Sequence, residues 1–249
     1  MTNKIVGENI MEKTQIKAVL FDLDGTLLPM DQDEFVKAYF GGIAKKLAPY
    51  GYEPNKLIKS IWAGTAAMVK NDGTKTNETA FWDAFAEIYG EQVRLDEPYF
   101  DAFYREDFDK IQPSCGYTPK SLKTIEQIKK TGLRMALATN PIFPAIATKK
   151  RIHWAGLDEN NFEWITTYEN SKYCKPNLNY YLEILNELHL LPSECIMVGN
   201  DVGEDMVAEK LGMKVFLLTD CLINKQNIDI SVYPHGTFED LTDFIQQSF

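Results

Sequence analysis

The sequence predicts an α/β fold, a doubly wound parallel sheet with an α-helical segment inserted after its first strand. Three observations carry this. In the second half of the chain, short apolar runs closed by turn residues alternate with amphipathic stretches of helical period. A similar apolar run, "IKAVLFD", lies far upstream of them. Between the two, the periodicity is helical throughout.

The residues before Ile16 read as a short leader. It has no apolar core and is broken by charges, so it is not expected to act as a signal peptide. "IKAVLFD" is a continuous apolar run too short for a helix, the mark of a central strand. Four helical stripes follow. Phe35, Tyr39, Ile43 and Leu47 form the first, and Leu57, Ile58, Ile61, Trp62, Thr65, Met68 and Val69 the second. Phe81, Phe85, Ile88 and Tyr89 form the third, and Tyr99, Phe103 and Phe108 suggest a fourth. Breaks fall at Pro49-Tyr50-Gly51, Asn71-Asp72-Gly73 and Gly90. Residues 30–112 are thus expected to form a helical insert, and residues 1–29 with 113–249 the sheet-bearing core.

After Pro113 the alternation returns. "TPKSLKTIEQIKKTG" reads as a helix ended by Gly132, and "LRMALAT" as a strand. "PAIATKKRIHWAGL" reads as a helix, "FEWITT" as a strand and "NLNYYLEILNELHL" as a helix. Strand "CIMVG", helix "GEDMVAEKLG" and strand "KVFLL" come next. The C-terminal "GTFEDLTDFIQQSF" reads as a capped amphipathic helix packing on the sheet.

The chain has 249 residues, 45% of them hydrophobic, enough for one large domain or two modest ones. Its net charge is −10 and no Lys/Arg cluster stands out, which argues against nucleic acid or an anionic membrane surface as a partner. No apolar run is long enough to cross a bilayer. Cys115, Cys174, Cys195 and Cys221 are scattered, with no C-x-x-C pair, as expected of reduced thiols in a cytoplasmic protein without a zinc site. A soluble monomer or small homo-oligomer is expected.

Ligands of open parallel sheets bind outside the carboxyl ends of the strands, so the residues after each strand matter most. The first strand is followed by Asp22-Leu23-Asp24-Gly25-Thr26, with both carboxylates able to face one cleft. The second is followed by Thr139-Asn140-Pro141, where a helix N-terminus and the Thr139 hydroxyl could hold an anion. Lys175 follows the third, and Asn200, Asp201 and Asp205 follow the fourth. Each has a structural explanation alone: an Asx turn, an N-cap, a solvated lysine, a cap with a surface acid. Together they make one chemical set. Asp22, Asp24 and Asp201 or Asp205 would repel one another without a cation among them. Oxygen donors without His or Cys point to Mg²⁺. Lys175, Thr139 and backbone amides would hold an anion beside it, the makings of phosphoryl transfer.

"FDLDGTLL", "LATN", "CKP" and "VGNDVGED", in this order, resemble the motifs of the haloacid dehalogenase (HAD) superfamily of aspartyl-phosphate phosphohydrolases. The resemblance covers nearly the whole chain after Ile16, and the helical insert resembles that family's C1-type cap domain. It implies a HAD-like fold and a Mg²⁺-dependent phosphatase acting on a small phosphorylated metabolite. Asp22 would be the nucleophile, and Asp24 the acid and then the base. Thr139, Asn140 and Lys175 would hold the phosphoryl oxygens. Mg²⁺ would sit on Asp22, the backbone carbonyl of Asp24 and an acid of the fourth motif. Asp201 is favoured, with Asp205 acting through water or orienting Lys175.

A phosphosugar mutase of the β-phosphoglucomutase type is the nearest alternative. A dehalogenase fits less well, because Asp24 supplies a proton that a halide does not need. A receiver domain, with a different motif order and no such insert, and a non-catalytic binding protein on the same fold complete the alternatives.

Overall fold

The computed structural model describes residues 15–248, so the leader expected before Ile16 lies, apart from Gln15, outside the described residues. At the centre is β1 (Ala18–Phe21), which pairs in parallel with β2 (Arg134–Leu137) on one side and β4 (Cys195–Gly199) on the other. β3 (Trp164–Ile165) lies outside β2, and β5 (Lys214–Leu218) and β6 (His235–Gly236) outside β4. The order is β3-β2-β1-β4-β5-β6, all parallel. The chain winds outward from β1 to β3, then returns to the far side of β1 at β4. The carboxyl ends of β1, β2 and β4 therefore flank a topological switch point.

Strand side chains alternate between two apolar layers. Val19, Phe21, Ile196 and Val198 face α5 (Pro119–Thr131), α6 (Ala145–Trp154) and α8 (Phe238–Gln246). Ala18, Leu20, Cys195 and Met197 face α7 (Leu178–Leu188) through Tyr180, Tyr181, Ile184 and Leu185. Both faces are covered, which is why these strands read as unbroken apolar runs. α5 ends as expected at Gly132, in the left-handed conformation.

Between β1 and α5 the chain forms four helices, α1 (Gln32–Leu47), α2 (Pro54–Val69), α3 (Asn77–Tyr89) and α4 (Glu97–Glu106). Most of the stripes read from the sequence face inward, but Trp62, Val69, Ile88 and Tyr99 are exposed and Phe108 lies beyond α4; Phe85, Phe100 and Phe103 are buried between the helices. The start of α3 is fastened to loops of the sheet-bearing part. Asn77 N–H donates to the Ser171 carbonyl at 2.8 Å and Glu78 N–H to the Tyr168 carbonyl at 2.8 Å. The fully buried Asn77 amide donates to the Pro141 carbonyl at 3.2 Å, while its oxygen accepts from Asn71 Nδ2 at 3.0 Å. Asn77→Ala removes this bridge and leaves polar groups unmatched. A loss of about 1–3 kcal/mol is expected in denaturant unfolding; an unchanged midpoint would show that the bridge does not hold the helices down.

Three elements differ from expectation. "GEDMVAEKLG" forms turns and a 3₁₀ segment at Met206–Leu211, not an α-helix. β6 is only two residues long and has no periodicity to read. No helix starts at Asn140-Pro141. α6 begins at Ala145 behind Pro144, as "PAIATKKRIHWAGL" reads, because a proline disfavours helical geometry in the residue before it. The Glu169 carboxylate accepts the Ala145 N–H at 2.8 Å and closes that end from outside. Among the described residues, no helix is long and apolar enough to cross a membrane. The four cysteines are free.

Candidate active site

The loop after β1 is compact. Thr26 and Leu28 N–H both donate to the Leu23 carbonyl, and Gly25 N–H donates to the Leu28 carbonyl. Gly25 has φ +84°, and a Cβ there would collide with the Asn200 side chain, so this turn needs glycine. The turn buries Leu23, Leu27 and Leu28. It presents Asp22 and Asp24 to a cavity of about 370 Å³ between the strand ends and the helical insert.

Asp22 is 6% exposed, and both its oxygens are held. Oδ1 accepts from Lys175 Nζ at 2.9 Å and Oδ2 from Thr26 Oγ1 at 2.8 Å. The Thr26 oxygen also lies 3.0 Å from Asn200 Oδ1 and, with one hydrogen, serves one acceptor at a time. Lys175 is 2% exposed and also donates to Asp205 Oδ1 at 2.6 Å. Burial alone would lower the Lys175 pKa. The facing Asp205 and Asp22 carboxylates outweigh it and hold the ammonium well above its ordinary range. Burial pushes the Asp205 carboxyl up; Lys175 opposes this and the nearby Asp22 adds to it. Asp205 Oδ2 accepts the Asp201 N–H at 3.0 Å. It lies so close to Gly199 that any Cβ there would strike it.

Of the predicted site residues, Asp22, Asp24, Thr139, Asn140, Asp201 and Asp205 line the cavity. Lys175 does not; it lies behind the carboxylates. Thr139 is fixed through its carbonyl, which accepts from Tyr180 Oη at 2.8 Å and Thr166 Oγ1 at 2.7 Å. Asn140 is not a helix cap. Its Nδ2 donates to Glu204 at 3.2 Å, and its Oδ1 is buried without a partner. Asp201 Oδ1 accepts from Gly203 N–H at 2.7 Å and Glu204 N–H at 3.0 Å, as the capping reading expects. These bonds leave its second oxygen unused.

Arg151, on α6, was not among the predicted site residues. Its buried guanidinium pairs with Asp24 Oδ2 and lies 4.4 Å from the centre of the Phe143 ring. The signal was present. Arg151 falls four residues after Ala147 and three before Trp154, on the buried stripe of its helix. Asp24 Oδ1 is buried and unpartnered. Burial raises the Asp24 pKa, Arg151 opposes the rise and Asp22 adds to it.

The family profile of the haloacid dehalogenase-like hydrolases matches residues 16–211, well over half of the chain. The chain belongs to this family. Among curated relatives, the pyrophosphatase PpaX of Bacillus velezensis is 24% identical, covering 82% of this chain and 83% of its own. Phosphoglycolate phosphatase 1 of Pseudomonas aeruginosa is 26% identical, covering 82% and 69%. The 2-haloacid dehalogenase of Pseudomonas syringae superposes with a TM-score of 0.62 at 18% identity, over 94% of this chain and 99% of that one. Such a likeness speaks to the fold. The protein is a HAD-like hydrolase, and relatives named as phosphatases resemble it at low identity.

Proposed function

We propose that the protein is a Mg²⁺-dependent phosphatase that transfers the phosphoryl group of a small phosphate ester to Asp22 and then to water. The observation that carries this is the Asp22–Lys175–Asp205 arrangement beside an Asp24 that carries an unpartnered oxygen. A buried carboxylate fixed through both oxygens keeps one orientation toward the cavity. In the first step Asp22 attacks phosphorus while the substrate oxygen leaves and takes a proton from Asp24. In the second, Asp24 removes a proton from water, which attacks the aspartyl phosphate and releases phosphate. Thr139, whose hydroxyl makes no hydrogen bond within the described residues, and Asn140 would hold phosphoryl oxygens. Lys175, locked between Asp22 and Asp205, would hold the nucleophile in the direction it faces. The insert of residues 30–112 would act as the cap domain that excludes water.

The donor chemistry fits the metal. Asp22, Asp24, Asp201, Glu204 and Asp205 line this end of the cavity, against Lys175 behind them and Arg151 beside them, an excess of acid with oxygen donors only. Among the described residues no three carboxylate, histidine or cysteine side chains meet at ligand distance. The ion would therefore be held by Asp22, the Asp24 carbonyl and Asp201, with Asp205 supporting from behind. Bound there, it would supply charge neutralisation at the transferred phosphoryl group. Phosphate release from acetyl phosphate and a panel of esters should fall by about a hundredfold or more when EDTA replaces Mg²⁺. Release that ignores EDTA, or no release from a folded protein, overturns the proposal.

A further inference from the structure

The wall of the cavity away from the strand ends restricts the leaving group. It is built by Phe35, Tyr39, Phe40, Trp62, Phe81 and Tyr104. One cation, Arg151, lines the cavity among the described residues, and its guanidinium is already paired with Asp24. The charged group on the helical insert that lines the cavity is an acid, Asp101. A carboxylate or second phosphate on the leaving group would meet no free countercharge there.

Hydrogen-bonding capacity is also sparse. The Tyr39 and Tyr104 hydroxyls bond to each other at 2.9 Å, which leaves one hydroxyl hydrogen between them. The Trp82 indole N–H is buried with no hydrogen bond formed and neighbours the Tyr168 hydroxyl, and the exposed Gln32 amide also lines the cavity. The Thr65 hydroxyl donates to the Ile61 carbonyl at 3.0 Å. A sugar would leave most of its hydroxyls unmatched against this wall. A ring or branched chain would instead pack against its aromatic side chains, and the volume suits one such group beside a phosphate.

We infer, resting on the phosphatase reading above, that the substrate is a monophosphate ester of an uncharged, mainly apolar alcohol with an aromatic ring or branched chain. The few polar atoms on it would find the Tyr39–Tyr104 pair, Trp82 and Gln32. Specificity is set by the apolar wall and by the absence of a free cation.

The test compares kcat/KM of the full chain, with Mg²⁺, for 2-phenylethyl phosphate, glucose 6-phosphate and phosphoglycolate. All three are esters of primary alcohols. Acetyl phosphate serves as a small phosphoryl donor that leaves the apolar wall unfilled. The expected preference for 2-phenylethyl phosphate is about a hundredfold or more. Trp62→Lys places a cation on the wall at a half-exposed position that accommodates lysine. It should shift the ratio toward phosphoglycolate by about tenfold, mainly through KM. Equal or better turnover of phosphoglycolate or glucose 6-phosphate, or a ratio that Trp62→Lys does not move, overturns the inference. If acetyl phosphate is hydrolysed meanwhile, the phosphatase reading stands without it. If neither acetyl phosphate nor any ester is hydrolysed, the phosphatase reading itself fails, and this inference with it.

Discussion

Asp22→Asn should lower kcat for phosphate release by about four orders of magnitude or more, the scale seen when a covalent nucleophile is removed, while leaving the protein folded. Asparagine matches aspartate in shape: its oxygen can still accept from Lys175, while its amide donates to the Thr26 oxygen, whose own hydrogen turns to Asn200 Oδ1. What it lacks is the negative oxygen that bonds to phosphorus. Stability should change little, because Lys175 keeps Asp205 as a charged partner at 2.6 Å. The two readouts must therefore separate: activity lost, unfolding midpoint nearly kept. Activity retained within tenfold would remove Asp22 from the role given to it here.

Lys175→Met should be damaging in both respects. Lys175 is the ammonium between two buried carboxylates, bonded to Asp22 at 2.9 Å and Asp205 at 2.6 Å. Removing one partner of a buried ion pair leaves uncompensated charge and costs about 3–5 kcal/mol. Asp22 would also lose the ammonium that fixes its Oδ1, and with it the orientation of the nucleophile toward the cavity. Lys175→Met with Asp205→Asn removes one charge of each sign. That double variant should recover much of the lost stability in urea unfolding, and little of the activity. If Lys175→Met alone is as stable as the parent, the triad does not carry the weight assigned to it.

What the sequence disclosed and what it hid divide along a physical line. β1 and its two aspartates were legible because strand signals are local: an apolar run, then carboxylates, then Gly25 at a positive φ. The helical stripes of α1 to α4 were legible for the same reason. Lys175 was located, but its depth was not. A buried lysine is unexpected until two carboxylates from other strand ends are seen to enclose it. The place of Arg151 on the buried stripe of α6 was legible, but its partner was not, because Asp24 is far away in sequence. The start of α6 behind Pro144 was legible in "PAIATKKRIHWAGL", and what misled was the turn before it. Asn140-Pro141 looks like a cap and first turn, yet Pro144 behind it moves the helix onward. The Met206–Leu211 segment has helical composition, but the turn that precedes it is tied up in bonds between Asp201 and Asp205.

The central claim is that Asp22 carries the phosphoryl group between substrate and water. The most direct measurement is acid quenching during turnover of acetyl phosphate, followed by peptide mass mapping of the parent and of Asp24→Asn. Asp24→Asn should accumulate the intermediate, because the base that activates water is gone. One added phosphoryl group is expected on the peptide containing Asp22, absent from Asp22→Asn. Phosphate released with Asp22 unmodified at every quench time, in the parent and in Asp24→Asn alike, would contradict it.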